Sequence, residues 1–173
     1  GGVGTAPVYP QVKWVKEHGM KADVIIGTKT KNTLIMEEQM KEVADNLYVC
    51  TDDGSYGMKG LVTDCLKKLV ESGEKYDEVV AIGPMVMMKF VSLLTKELGI
   101  KTTVSLNSLM VDGTGMCGAC RVTIGGKTKF TCVDGPEFDA HLVDFDEAIR
   151  RQLMYKALEL ATDSDDYKCI FTA

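Results

Sequence analysis

"EVVAIGPMVMMKFVSLLTKELG", residues 78–99, is the stretch on which the fold turns. It opens with a short, nearly continuous apolar run. A Gly-Pro punctuation follows at Gly83 and Pro84, and then a run whose apolar residues return at helical spacing until Gly99. That is a strand leading directly into a helix. The same unit recurs along the chain. "ADVIIG" (22–27), "LYVCT" (47–51) and "TTVSL" (102–106) read as further strands. Apolar runs of this kind suit strands covered on both faces by helices. Between them, "KGLVTDCLKKLVESG" carries Leu61, Cys65, Leu66, Leu69 and Val70 on one face. Asp64, Lys67, Lys68 and Glu71 lie on the other, and Gly73 is a stop. Residues 7–18 read as another helix behind Pro7. The series predicts an α/β fold with an open, mostly parallel sheet and helices on both faces.

Bulk properties narrow the function. The chain has 173 residues, 45% hydrophobic and 26% charged, and a formal net charge of −5. These are globular values. The acidic balance and scattered lysines argue against a nucleic-acid partner. No apolar run reaches the roughly 18–20 residues of a membrane span. "GGVGTAP" at the start lacks the basic and apolar regions of a signal peptide. Six cysteines without export signals point to a reducing, cytoplasmic setting, where clustered thiols bind metal or do redox work.

Three loops follow the predicted strands at their carboxyl ends, where open α/β sheets bind ligands. "GVGTAP" (2–7) is a G-x-G-x-x-P turn. Gly2 and Gly4 would let backbone N–H groups approach a phosphate, and Thr5, Ala6 and Pro7 open a helix with its positive end toward it. "DDGSYG" contributes Asp53, Gly54 and Ser55, and "GPMVMM" contributes Gly83, Pro84 and Met85. A tight turn is the plain alternative for the glycines, and core packing is the favoured one for Met85, Met87 and Met88. Gly27, Thr28 and Lys29, with Lys31 beyond, follow the first strand, where an adenosine 2′-phosphate would sit; a solvated loop is an equal reading. A phosphate loop of this kind needs a strand before it, which in such a sheet would be central. The chain begins at the loop, so the expectation is a piece of something longer or an upstream segment outside this sequence.

The character changes near residue 107. "VDGTGMCGACRVTIGGKTKFTC", residues 111–132, holds Asp112, Cys117, Cys120 and Cys132 among glycines. A long Gly- and Asp-rich stretch needs something to organise it. Plant-type [2Fe–2S] loops run C-x4-C-x2-C with a distant fourth cysteine. Asp112 stands in the first position of that spacing, and ferric iron accepts a carboxylate oxygen. Three alternatives stay open on spacing: a Cys3His zinc site using His141, a redox pair at Cys117 and Cys120, and incidental thiols. Cys50 and Cys65 read as core residues, and Cys169 would be a ligand only if the tail folds back. A helix capped by Asp144 or Asp146, with Ile149, Leu153, Ala157, Leu158 and Ala161 as its apolar stripe, closes the chain.

Taken in order, "GGVGTAP", "TDDGSYGMKG", "AIGPMVMMK" and "GMCGACRV…FTCVDGPEFD" resemble the iron–sulfur flavoprotein subunits of the ferredoxin–NADP reductase superfamily. Two branches share the layout: the dihydroorotate dehydrogenase electron-transfer subunit, and the small subunit of NADH-dependent ferredoxin:NADP oxidoreductase, or sulfide dehydrogenase. The resemblance covers essentially the whole chain. Asp112 departs from the dihydroorotate pattern and is similar to the second branch, which implies ligation by Asp112, Cys117, Cys120 and Cys132. Ile82 stands where many ferredoxin reductases carry a cysteine beside the nicotinamide.

The resemblance implies an NAD(P)-binding domain over 1–106, whose first strand is missing, and a [2Fe–2S] subdomain with a closing helix over 107–173. It implies an electron-transfer module passing reducing equivalents between NAD or NADP, FAD and a [2Fe–2S] cluster to a catalytic flavoprotein or iron–sulfur partner subunit. The FAD would be held mainly by an N-terminal barrel, so the fragment alone would be inactive. No side chain is expected to act as acid, base or nucleophile. The rival reading is a zinc-stabilised nucleotide-binding module without redox activity.

Overall fold

The structure is a computed structural model and describes residues 1–156. All four expected strands form. β1 (Asp23–Thr28) pairs in parallel with β2 (Asn46–Thr51), which pairs with the two-residue β3 (Met58–Lys59). β4 (Glu78–Ile82) pairs in parallel with β5 (Lys101–Ser105), and β5 pairs antiparallel with β8 (Glu137–Asp139). A separate hairpin joins β6 (Arg121–Ile124) to β7 (Lys127–Phe130). The parallel strands thus lie in two three-stranded sheets rather than one continuous sheet, with β1 and β4 each an edge.

The helices are α1 (Thr5–Glu17), α2 (Glu37–Val43), α3 (Val62–Glu71), α4 (Met85–Leu98), the short α5 (Thr131–Asp134) and α6 (Phe145–Gln152). α1 begins two residues before Pro7 and also contains Pro10. α3 buries Cys65 and Leu66 as expected. Leu61 departs from the expectation: it precedes the helix as its N-cap and is 56% exposed, while Asp64 turns back to accept its backbone N–H. α4 ends at Gly99, whose φ of 69° is a conformation that glycine adopts without strain.

Two apolar clusters hold these layers. Val12, Val24, Ile26, Met40 and Val43 join α1, β1 and α2. The larger cluster runs from Ala81, Met85, Met88 and Val91 through Val104 and Leu106 to Val122, Ala140, Phe145 and Ala148. It therefore continues past residue 106 and seats the hairpin and α6 against α4. Met88 and Val104 are fully buried. Burying such a side chain contributes about 1.5–3 kcal/mol relative to leaving it in water. Coverage on both faces fails at one strand: Val80, in the middle of β4, is 47% exposed.

Within the described residues the closing helix starts where expected. Asp144 is the N-cap, its carboxylate accepting the Glu147 N–H. The helix stops at Gln152, and Leu153 is half exposed in a 3-10 turn. Phe145 and Ala148 carry the burial, with Ile149 packed alongside. Ala157, Leu158, Ala161 and Cys169 lie outside the described residues.

Candidate functional site

The carboxyl ends of β1, β2 and β4 bring the predicted loops together. Gly1 to Gly4 lie across the end of β4. The Gly1 amine donates to the Ile82 carbonyl at 2.6 Å, and Gly4 N–H returns to the Gly1 carbonyl at 3.1 Å. A Cβ on Gly4 would come 2.5 Å from Ile82 O and 2.9 Å from Gly83 Cα. A Cβ on Gly83 would come 2.7 Å from the Gly1 nitrogen. Gly4 and Gly83 thus allow two backbones to touch, a packing role the motif alone did not disclose. Gly2 differs, with φ 55° and open space where a Cβ would stand, so it serves the turn rather than a close contact. The Thr5 hydroxyl donates to Gly2 O and is buried, so it holds the loop; Ala6 and Pro7 are exposed in the first turn of α1. Pro84 caps α4, and the Met85 side chain is buried in the core. Met85 can offer a ligand its backbone, not its side chain.

The ends of β1 and β2 form a second cluster. The Thr28 and Thr33 hydroxyls are 2.6 Å apart, and Ser55 Oγ accepts the Lys31 N–H at 2.9 Å. Asp53 accepts both the N–H and the hydroxyl of Ser55, which hold its carboxyl below its ordinary range. Gly54 has φ 77° and lies against the Lys59 side chain. Gly27 lies against Val62, so only glycine fits there. Lys29 is exposed. Two side chains beyond the sequence reading complete this surface. Lys31 Nζ lies 5.0 Å from the centre of the Tyr56 ring, and the Tyr56 hydroxyl donates to Glu37 at 2.8 Å. Glu37 also pairs with Lys41 at 2.8 Å. Tyr56 was within the quoted loop; Glu37 comes from a different element, and its nearness depends on how α2 packs.

The cysteine loop is built by its glycines and by Asp112. Gly113, Gly115 and Gly118 have φ of 72°, 83° and 68°. Asp112 Oδ1 accepts the Thr114 N–H at 2.9 Å, and Oδ2 accepts the Cys117 N–H at 2.8 Å. These bonds, that from Thr114 first, hold its carboxyl in the ionised form. Cys120 Sγ and Cys132 Sγ are 3.3 Å apart, with the Gly115 backbone N–H directed at Cys132. The Cys120 thiol raises that of Cys132 above the ordinary range. Cys117 is exposed, and its sulfur accepts from Ala119 N–H at 3.5 Å. Thr131 fastens the base of the loop to the Cys120 carbonyl and to Ser108.

Three thiols, a carboxylate and N–H groups aimed at two of the sulfurs are a donor set that fits an iron–sulfur cluster. Cys120 and Cys132 are already side by side, while Cys117 and the Asp112 carboxylate face solvent and the loop backbone. Among the described residues, no three metal-binding side chains close around one point. His141 is committed elsewhere, its Nε2 3.1 Å from the Thr95 hydroxyl on α4. Its ring does not join the cysteines, which counts against the Cys3His zinc arrangement. The nearest thiol pair is Cys120 with Cys132, not the C-x-x-C pair.

Comparison with known proteins points to an iron–sulfur cluster over this stretch. Residues 107–144 match the family described as the iron–sulfur cluster binding domain of dihydroorotate dehydrogenase B. A Clostridium beijerinckii protein described as uncharacterised, from an adh 3′ region, is 67% identical over 92% of this chain and 54% of its own length. A Thermotoga maritima homologue of the dihydroorotate dehydrogenase B (NAD(+)) electron-transfer subunit is 52% identical over 92% of this chain and 56% of its own length. In a solved structure of an NADH-dependent reduced ferredoxin–NADP oxidoreductase, studied for flavin-based electron bifurcation, one chain matches with a TM-score of 0.84. It is 50% identical, over 92% of this chain and 57% of that one. The chain spans about half the length of the curated relatives it matches.

Proposed function

We propose that this chain, a homologue of the dihydroorotate dehydrogenase B electron-transfer subunits and of NADH-dependent reduced ferredoxin–NADP oxidoreductase, is the pyridine-nucleotide and [2Fe–2S] portion of an electron-transfer subunit. The observation that carries the reading is the glycine-rich loop with Cys120 and Cys132 sulfurs 3.3 Å apart and N–H groups directed at Cys117 and Cys132. Residues 107–173 form the cluster-binding part, and residues 1–106 the nucleotide-binding part. When bound, nicotinamide and flavin supply hydride chemistry and the cluster supplies one-electron transfer.

The chain's own residues position and tune. The Gly2 N–H, with the start of α1 behind it, would donate to a pyrophosphate oxygen. Thr28, Lys29, Asp53, Gly54 and Ser55 flank the adenosine ribose. Gly83, Pro84 and the Met85 backbone border the nicotinamide. Cys117, Cys120 and Cys132 hold the cluster with Asp112 at the fourth corner, an oxygen ligand that donates less charge than a thiolate. Asp112 in the first ligand position favours the ferredoxin–NADP oxidoreductase-like branch over the dihydroorotate one. The flavin is held mainly by a domain outside this sequence, so this chain by itself is inactive. Electrons leave to a partner subunit. Leu109, Met110, Val111, Met116 and Val133, all exposed around the cysteine loop, suit such a contact. No described helix is long and apolar enough to cross a membrane, and six cysteines suit the reducing cytoplasm.

Anaerobic reconstitution with iron and sulfide tests the reading. A brown protein with equal iron and acid-labile sulfide and a paramagnetic reduced state is expected. A colourless protein with stoichiometric zinc overturns it. Asp112→Cys is expected to shift the cluster midpoint potential; an unchanged potential removes Asp112 from the ligand set.

A further inference from the structure

α6 carries Arg150 and Arg151 in its last turn, where a cation suits the negative end of a helix. Arg150 is exposed, whereas Arg151 is half-buried. The Arg151 Nη2 donates to the Ala119 carbonyl at 3.0 Å, across a sequence separation of 32 residues. Ala119 lies inside the Cys117–Cys120 turn, and its own N–H is directed at Cys117 Sγ at 3.5 Å. One residue is thus gripped at its carbonyl by a guanidinium while its amide addresses a sulfur. Arg121 Nη1 approaches the preceding carbonyl, that of Gly118, at 3.5 Å. Both arginines, with Leu109, Ala119 and Ala148, line a cavity of about 150 Å³ behind the turn. The helix that bears Arg151 is itself anchored. Phe145 and Ala148 sit in the core, and Lys89 of α4 meets Asp146 at 2.6 Å. The Gln152 side-chain amide donates to Asn107 O at 3.0 Å, where the stretch carrying the cysteine loop begins.

We propose that Arg151 is a positioning residue for the iron–sulfur centre: it fixes the Cys117–Cys120 turn through the Ala119 carbonyl and sets beside it a positive charge that raises the reduction potential. The inference rests on the reading of this loop as a cluster site. A fixed cation beside a centre that gains negative charge on reduction favours the reduced form. A guanidinium keeps its charge at every accessible pH and has donors to spare after one bond to a carbonyl. Half-burial leaves that charge less screened than the charge of Arg150 in open solvent. The bond to Ala119 does the second part of the work, because a turn held at its carbonyl keeps the Ala119 N–H aimed at Cys117.

The test compares the full chain with Arg151→Met, Arg151→Lys and Arg150→Met. Each is reconstituted anaerobically with iron and sulfide, and the midpoint is read by paramagnetic resonance during a dithionite titration. Arg151→Met keeps the stem and removes charge and donors. It is expected to make electron uptake about three- to tenfold less favourable, which is ~28–59 mV at about 59 mV per tenfold. Arg151→Lys restores the charge and is expected to recover about half of that shift. Arg150→Met removes the same formal charge from the exposed neighbour and is expected to leave the midpoint unchanged. In the metal-free chain, Arg151→Met is expected to speed amide exchange across residues 117–121 by about threefold or more. An Arg151→Met midpoint equal to the parent's, an equal shift from Arg150→Met, a lysine variant as low as the methionine one, or unchanged exchange overturns the proposal. A parent chain that takes up no cluster overturns the cluster reading and this inference with it. A parent that loads beside an Arg151→Met variant with the same midpoint overturns this inference alone.

Discussion

The described residues gather cysteines in two places, one sealed in the core and one on a loop that reaches solvent. Cys50 on β2 and Cys65 on α3 are both buried, 1% and 5% exposed, between a strand and a helix. Burial pushes the Cys50 thiol up to about 12, and that of Cys65 up as well. Such thiols behave as small apolar side chains. Cys117, Cys120 and Cys132 stand on a glycine-rich loop, Cys117 exposed and the other two 3.3 Å apart, with backbone N–H groups directed at Cys117 and Cys132. The residue type is shared. What differs is whether solvent or a ligand can reach the sulfur.

The contrast can be broken most directly by exchanging serine for cysteine in each region. Cys132→Ser is expected to lower iron bound after reconstitution by about tenfold or more, measured as iron and sulfide per chain. Cys65→Ser is expected to leave iron content unchanged. Equal loss from both substitutions would erase the distinction. Alkylation sharpens it further. With iodoacetamide at pH 8, Cys117 is expected to react about a hundredfold faster than Cys50, which needs local unfolding to be reached. Peptide mass spectrometry over time reads both rates.

Stability separates the regions in the reverse sense. Cys50→Ser places a hydroxyl in an apolar site and is expected to cost about 1–3 kcal/mol, read from the urea midpoint. Cys117→Ser, on an exposed loop, is expected to stay within about 0.5 kcal/mol of the parent.

Much of this was legible in the sequence because the signals are local. All four strands appear where the apolar runs lie, and Gly99 ends α4 through its own backbone geometry. Asp144 caps α6, as one of the two aspartates nominated there. What escaped depends on contacts between distant residues. The packing of Gly4 against Ile82 and Gly83 spans nearly eighty positions, and no spacing rule reports it. Leu153 fits the helical stripe but falls in a turn where little packs on it. In the cysteine loop, spacing nominated four donors, while the hydrogen bonds from Asp112 to the backbone emerged only with the fold.

α4 ends the matter of how the two candidate sites are spaced. Its first residue follows the Gly83–Pro84 turn beside the nucleotide loops, and two turns on it grips the cysteine-bearing half. Ser92 Oγ donates to Ala140 O at 2.9 Å inside the core, and Thr95 meets His141. From Met85 to Ser92 a helix advances about 10 Å at 1.5 Å per residue. The helix is thus a ruler cut to one length. The distance from the strand ends toward the cysteine-bearing half cannot stretch unless Met88 and Val91 leave the core, and in the proposed function that would fix how far an electron has to travel.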